Sequence, residues 1–313
     1  MVKRILLATP RGYCAGVERA IETVEQALRL REAPVYVRRR IVHNTHVVRD
    51  LEARGAIFVD SEKDVPTGAE VIFSAHGVSP AVRANARALG LRTIDATCPL
   101  VTKVHAEARR FAARGYTIVL IGHAGHEEVE GTLGEAPDVI VLVEDVERAR
   151  RVKLPCGRPL AYITQTTLSV DETRAIVEVL RARFPRIEAP KHEDICYATT
   201  NRQRAVKKIL ERVDLLLVIG SQDSSNSKRL VEVARRRAVA AHLIEDELAI
   251  DESWLSGAEI IGITCGASAP EALVRRVVAW FRARGDVEVE TMAGEEERVA
   301  FKLPAELGSR AVA

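Results

Sequence analysis

Three cysteines, each set between a short apolar run and the start of a long amphipathic helix, constrain this chain more than any other feature. They lie in Arg11-Gly12-Tyr13-Cys14-Ala15-Gly16-Val17, in Asp95-Ala96-Thr97-Cys98-Pro99 and in Asp194-Ile195-Cys196-Tyr197-Ala198-Thr199. Apolar residues recur at helical spacing after each, as Val17, Ile21, Val24 and Leu28 do after Cys14. The helix stops, a strand follows, and the strand opens into a polar loop. In the first stretch the strand is expected over Val35 to Val42, with His43-Asn44-Thr45-His46 as its loop. The matching loops are Gly122-His123-Ala124-Gly125-His126-Glu127-Glu128 and Gly220-Ser221-Gln222-Asp223-Ser224-Ser225-Asn226-Ser227. The separations from Cys14 to His43, Cys98 to His126 and Cys196 to Ser224 are 29, 28 and 28 residues.

A second strand in each stretch ends in a second polar loop, marked by His76, Thr166 and Ser268 at 62, 68 and 72 residues from the cysteine. That drift is what insertions in surface loops produce. Repetition of a βα unit at this length predicts an α/β protein of three pseudo-repeated small units with mostly parallel sheets. The units are expected over 1–97 (with the N-terminal strand), 98–195 and 196–287, with 288–313 as a C-terminal tail packing back on the body. Ligands of parallel sheets bind beyond the carboxyl ends of strands, where loops meet helix N-termini. Every polar loop above sits at such an end. If the units meet about a pseudo-threefold axis, three cysteines and six loops face one central cleft.

Composition narrows the function classes. A 47% hydrophobic and 29% charged chain with a net charge of +2 carries no global field for nucleic acid or membrane. The apolar run near Met1 is too short for a signal segment, and no run approaches the roughly 20 residues that span a bilayer. A cytoplasmic protein is expected. Five widely spaced cysteines argue against a disulfide framework, and the absence of any C-x-x-C pair excludes a zinc ribbon or bacterial-ferredoxin cluster.

Helix starts favour a thiolate. Three in equivalent positions suit one iron–sulfur cluster, with one iron left open to a substrate as a Lewis acid. Zinc held by three cysteines and a water is the competing reading. Cys156 and Cys265 have no counterparts and read as structural, although Cys265 lies at a strand end facing the expected cleft. His43, His76 and His126 at strand ends, with Ser224, Ser225, Asn226 and Ser268 before helices, suit a phosphate group; plain helix capping is the alternative. There is neither a Walker loop nor a G-x-G-x-x-G fingerprint. Glu128 is the carboxylate best placed to deliver protons, with Thr166 as a relay. Glu127 and Glu130 compete for that role or serve as first-turn helix charges. The runs Arg38-Arg39-Arg40 and Arg235-Arg236-Arg237 read as solvated faces, or as a surface for an acidic electron carrier.

The motifs, taken together, resemble one family. Gly12-Tyr13-Cys14-Ala15-Gly16-Val17, Ile41-Val42-His43-Asn44, Ser74-Ala75-His76-Gly77-Val78 and Asp95-Ala96-Thr97-Cys98-Pro99 look like 4-hydroxy-3-methylbut-2-enyl diphosphate reductases. So do Gly125-His126-Glu127-Glu128-Val129-Glu130-Gly131, Thr164-Gln165-Thr166-Thr167-Leu168-Ser169, Cys196 to Gln203, Ser224-Ser225-Asn226-Ser227 and Gly266-Ala267-Ser268-Ala269-Pro270. The resemblance covers essentially the whole chain. It implies a trefoil of α/β units around one [4Fe–4S] cluster with three ligands, Cys14, Cys98 and Cys196, and one open iron for the substrate hydroxyl. It implies diphosphate binding by His43, His76, Ser224, Ser225, Asn226 and Ser268, with His126 lining the pocket, and proton delivery by Glu128 aided by Thr166. Electrons from a ferredoxin or flavodoxin would yield isopentenyl and dimethylallyl diphosphates, the last step of the non-mevalonate isoprenoid route. Cys265 departs from the family pattern. A redox-neutral open-iron hydro-lyase and a non-catalytic iron–sulfur sensor are the alternatives; the second calls for a DNA- or protein-binding appendage that the sequence does not show.

Overall fold

The structure, a computed structural model, describes residues 2–31 and 34–308; the last five positions of the expected tail lie outside that range. Strand β1 (Arg4–Leu7) is followed by a loop and by α1 (Ala15–Leu30), which begins on the residue after Cys14. β2 (Val35–Arg38) is half the expected length, because Arg39 takes a left-handed φ of 55° and breaks the extended run. α2 (Thr45–Ala53) starts where the Asn44 side chain accepts from the Val47 N–H at 3.1 Å. Next come β3 (Ala56–Val59) and β4 (Glu70–Phe73), then α3 (Pro80–Ala88), capped by Ser79 with Pro80 in its first turn. β5 (Arg92–Asp95) leads through Cys98 into α4 (Pro99–Ala113).

The order continues with β6 (Thr117–Ile121), α5 (Glu127–Leu133), β7 (Ile140–Val143), α6 (Val146–Arg151), β8 (Leu160–Thr164) and α7 (Val170–Arg183). Cys196 precedes α8 (Tyr197–Ile209) directly. The chain closes with β9 (Leu215–Ile219), α9 (Ser225–Arg236), β10 (Ala240–Ile244), β11 (Ile260–Cys265), α10 (Glu271–Arg282) and β12 (Glu288–Thr291). Among the described residues no helix is long and apolar enough to cross a membrane.

Among the described residues there are three sheets, parallel throughout, with orders β10-β9-β11-β1-β12, β3-β2-β4-β5 and β7-β6-β8. The repeat shows in these orders. The first strand of each unit lies between the second and the third, and a fourth chain segment borders the third. That fourth segment is β5 beside β4, β1 beside β11, and a single parallel bridge of Glu188 to Ala161 in β8. Each fourth segment runs into a cysteine, so a cysteine marks the passage from one sheet to the helix that follows. The N-terminal strand accordingly pairs with β11 and β12, far downstream, rather than with β2 to β5. β12 carries the start of the tail, and the sequence did not signal it as a strand.

Two compact units result. One comprises residues 2–15, 43–47 and 197–299 and holds the five-stranded sheet; the other comprises the remaining described residues and holds the other two. In the first, β9 is wholly buried, with side chains packing alternately beneath α10 and beneath α8 and α9. In the second, β6 is buried end to end, between Val104, Ala108 and Phe111 of α4 on one face and Ile176 and Leu180 of α7 on the other. Strands covered on both faces read as continuous apolar runs, and each fully buried Ile, Leu or Val contributes about 1.5–3 kcal/mol. These rigid sheets fix where their carboxyl-end loops stand.

Candidate active site

In the unit that holds the five-stranded sheet, the loops after β1, β9 and β11 carry Cys14, Ser224 and Ser268, Ser225 and Asn226 open α9, and His43 belongs to the same unit. Cys14 donates its N–H to the carbonyl of Ala267 at 3.2 Å, which joins the β1 loop to the β11 loop. The Ser268 hydroxyl donates to the His43 carbonyl at 2.9 Å. Ser224 caps α9 by accepting from the Ser227 N–H at 3.2 Å, and the Ser227 hydroxyl donates to Ser224 Oγ at 3.0 Å. Ser227 packs where a side chain on Gly220 or Gly266 would collide with it, at 2.2 and 2.1 Å from its Oγ. Those two glycines allow the β9 and β11 loops to close over α9. The Asn226 side chain is buried there, yet neither its Oδ1 nor its Nδ2 has a hydrogen-bonding partner. A buried amide unsatisfied at both ends calls for a polar partner.

The other unit brings together Cys98, Cys196, His76, His126, Glu128 and Thr166. Cys98 donates its N–H to Ala75 O at 2.9 Å and Cys196 to Thr166 O at 3.0 Å. Each of these two cysteines is therefore pinned to the loop after a strand, as Cys14 is to Ala267. All three thiols are partly exposed and each stands one residue before a helix.

Glu128, in the first turn of α5, is 2% exposed. Its Oε1 accepts the Thr166 N–H at 2.6 Å and its Oε2 accepts the Thr166 hydroxyl at 3.2 Å. Burial raises its pKa above the ordinary carboxyl value; the Thr166 hydrogen bonds and the nearby His76 and His105 oppose that rise without cancelling it. Burial pushes Glu127 upward as well, but His76, through a hydrogen bond and its charge, together with Arg39 and His126, leaves it below the ordinary value. Glu130 turns outward to Arg39 at 2.8 Å. Three glutamates within four positions thus have three environments. Of the three, only Glu128 has its carboxyl biased toward the protonated form.

The Glu128 N–H donates to His126 Nδ1 at 3.2 Å, so His126 caps α5 with Nδ1 as acceptor and its ring proton stands on Nε2. The His76 and His126 rings meet edge to face at 5.9 Å. His76 Nδ1 lies 3.4 Å from Ser74 Oγ and 3.6 Å from Glu127 Oε2. Sequence reading left Glu127 as a rival to Glu128 and gave His105 no role. His105 is buried with its Nδ1 2.8 Å from the Glu135 carboxyl, and its ring stands against Gly77 and Gly131.

Two expectations are corrected. Cys265 does not face a cleft: it is fully buried in the apolar core, where its Sγ accepts the Gly12 N–H at 3.0 Å and burial pushes its pKa up to about 12. In the run at 38–40 only Arg40 is an exposed charge, since Arg38 is paired at 2.9 Å with Glu62, itself buried, and Arg39 is committed to Glu130.

Comparison with known proteins follows the same lines. A family profile described as LytB protein matches residues 5–282. A 4-hydroxy-3-methylbut-2-enyl diphosphate reductase of Acidothermus cellulolyticus is 58% identical over 306 residues, covering 97% of this chain and 90% of that one. One of Bordetella bronchiseptica is 59% identical over 300 residues, covering 96% and 92%. The structure of the E-1-hydroxy-2-methyl-but-2-enyl-4-diphosphate reductase of Plasmodium falciparum superposes with a TM-score of 0.95 at 42% identity, covering 98% of both chains. A second solved reductase, described as the terminal enzyme of the non-mevalonate pathway, gives 0.62 at 30% identity over 90% of this chain.

Proposed function

We propose a division of roles from the premise that this chain belongs to the LytB family, iron–sulfur reductases acting on 4-hydroxy-3-methylbut-2-enyl diphosphate. The chain is such a reductase, yielding isopentenyl and dimethylallyl diphosphates. The reaction consumes two electrons and two protons, and the hydroxyl of the substrate leaves as water.

Cys14, Cys98 and Cys196 hold the metal as a [4Fe–4S] cluster with one open iron. The donor chemistry supports this reading: three partly exposed thiols, each one residue before a helix and each with its own N–H tied to a strand-end loop. Cys265, sealed in the core, and Cys156, exposed without an equivalent, do not fit the set. When bound, a cluster of this kind supplies electrons singly and a Lewis-acidic iron.

The protein's own groups do the rest. Asn226, Ser224, Ser225, Ser268 and His43 bind the diphosphate, and the orphaned Asn226 amide supports that assignment. His76 and His126 line the substrate pocket and direct ring N–H groups at anionic oxygens. Glu128 carries the proton that converts the departing hydroxyl into water, and Thr166 orients it. The observation that carries the proposal is the Glu128 carboxyl: buried, biased toward its protonated form and gripped by Thr166. A ferredoxin or flavodoxin donates the electrons, in a cytoplasmic setting.

The test is anaerobic turnover of 4-hydroxy-3-methylbut-2-enyl diphosphate by the iron-loaded protein, with and without a one-electron reductant. Consumption only with reductant supports the reading. Turnover without it indicates a hydro-lyase, and an unchanged substrate peak in both arms indicates a sensor.

A further inference from the structure

Among the described residues, Arg202 is the largest side chain with essentially no exposure. It stands on α8, and four polar partners surround its guanidinium. Nη2 donates to Gly12 O at 2.8 Å and, more weakly, to Tyr13 O at 3.4 Å; Nη1 donates to Ala198 O at 3.0 Å and to the Glu297 carboxylate at 3.1 and 3.2 Å. Glu297 also accepts from Asn201 Nδ2 at 3.2 Å and is itself mostly covered. A buried guanidinium is tolerated only where its charge is neutralised and its N–H groups are used. Here the neutralising carboxylate comes from the C-terminal tail, Nη1 and Nη2 are both used while Nε has no partner, and two of the three carbonyls that Arg202 grips are those immediately before Cys14.

The tail reaches this point along a fixed path. Met292 donates to Leu7 O at 2.9 Å, Lys208 Nζ reaches Ala293 O at 2.9 Å, and Gly294 passes so close to Thr9 that a Cβ would lie 2.0 Å from its carbonyl oxygen. Residues 292–297 therefore form a strap across the loop that presents Cys14, and Glu297 closes the strap by neutralising Arg202.

We propose that Arg202 and Glu297 are positioning residues for Cys14: together they clamp the Gly12–Tyr13 backbone, so that the strap sets how firmly this one thiol is held for metal. The role rests on the reading of Cys14 as a ligand. Two of the clamp's three carbonyls lie on the Cys14 loop and the third, Ala198 O, lies within α8 itself, so its loss loosens Cys14 first.

The test uses Glu297→Gln, which keeps the shape and removes the neutralising charge, and Arg202→Lys, which keeps the charge and loses the planar fork. In metal-free, reduced protein, the alkylation rates of Cys14, Cys98 and Cys196 by iodoacetamide are followed site by site by mass spectrometry, with exposed Cys156 as reference. Cys14 should react about tenfold faster in Glu297→Gln, the factor given by roughly 1.4 kcal/mol of weakened local structure, while Cys98 and Cys196 keep their rates. Iron-loaded variants should surrender iron to a chelator faster than the parent. An unchanged Cys14 rate in both variants overturns the proposal, and so does an equal rise at all three cysteines, which would mark the pair as a general stabiliser. Cys14→Ser checks the underlying reading separately: unchanged iron retention there would remove Cys14 as a ligand while leaving the labelling result intact.

Discussion

Thr166 grips Glu128 at both carboxyl oxygens, through its N–H at 2.6 Å and its hydroxyl at 3.2 Å, and with its own carbonyl accepts the Cys196 N–H at 3.0 Å. One residue thereby fixes both the carboxyl proposed to carry the proton and the backbone of a cysteine proposed to hold metal. Replacing Glu128 by Gln preserves the shape and removes the transferable proton. Anaerobic turnover should fall by roughly 10²–10⁴-fold, as loss of a general acid does, while iron content and the visible spectrum stay those of the parent. Near-parental turnover would take Glu128 out of the mechanism.

Thr166→Val isolates the smaller half of that grip. The N–H bond to Oε1 survives and only the hydroxyl contact is lost, a neutral donor worth about 0.5–1.5 kcal/mol. Turnover should fall by about tenfold at most. A loss as deep as that of Glu128→Gln would mean that the hydroxyl moves a proton itself rather than orienting the carboxyl.

Glu127 and Glu128 predict opposite effects on stability. The folded pKa of Glu128 lies above 4.5, so below about pH 4.5 both folded and unfolded chains hold its proton and there is no effect. As pH rises, the unfolded chain releases that proton first and the folded state loses relative stability. Glu128→Gln removes the loss, so its melting temperature should exceed the parent's at neutral pH and converge with it in acid. Glu127, lowered by its contact with His76, contributes stability above the unfolded pKa that is lost as pH falls. Glu127→Gln should therefore melt below the parent at neutral pH, and the gap should close in acid. Thermal melts across pH decide both; parallel curves would show that neither carboxyl has the environment assigned to it.

What could be read from the sequence and what could not divides along contact range. The cysteine-to-helix junctions, the strand-end loops and the parallel sheets follow from local patterns, and the structure places each cysteine one residue before its helix. Glu127 and Glu128 could not be told apart locally, because adjacent helical residues point about 100° apart and only tertiary packing decides which is buried. β12 was invisible: Glu-Val-Glu-Thr carries little strand signal, and its partner β1 lies at the other end of the chain. Nothing local marks Arg202 for burial, because the groups that close around it, Gly12 and Glu297, are distant in sequence. Cys265 keeps its structural reading, but its seat in the core was not legible for the same reason, since its partner is the Gly12 N–H.

Cys265 should be chemically silent. With its pKa pushed up to about 12 by burial and no exposed surface, it carries negligible thiolate at neutral pH. Native protein treated with iodoacetamide should leave Cys265 unmodified while Cys156 reacts, and modification of Cys265 before unfolding would refute its placement.

Asn226 separates stability from binding most cleanly. Its amide is buried with both ends unsatisfied, a condition that costs about 1–3 kcal/mol in the ligand-free protein. Asn226→Leu has a similar shape and removes that cost, so the ligand-free variant should melt above the parent. The same change removes a donor and an acceptor from the proposed diphosphate site. KM should rise by about tenfold or more, the worth of a hydrogen bond to a charged group, with a smaller change in kcat. Inorganic diphosphate should also protect the parent against thermal unfolding more than the variant, because only a ligand that binds the folded state raises its melting temperature. A variant that is less stable yet keeps its KM would show that the amide is satisfied by the protein and that the diphosphate is held elsewhere.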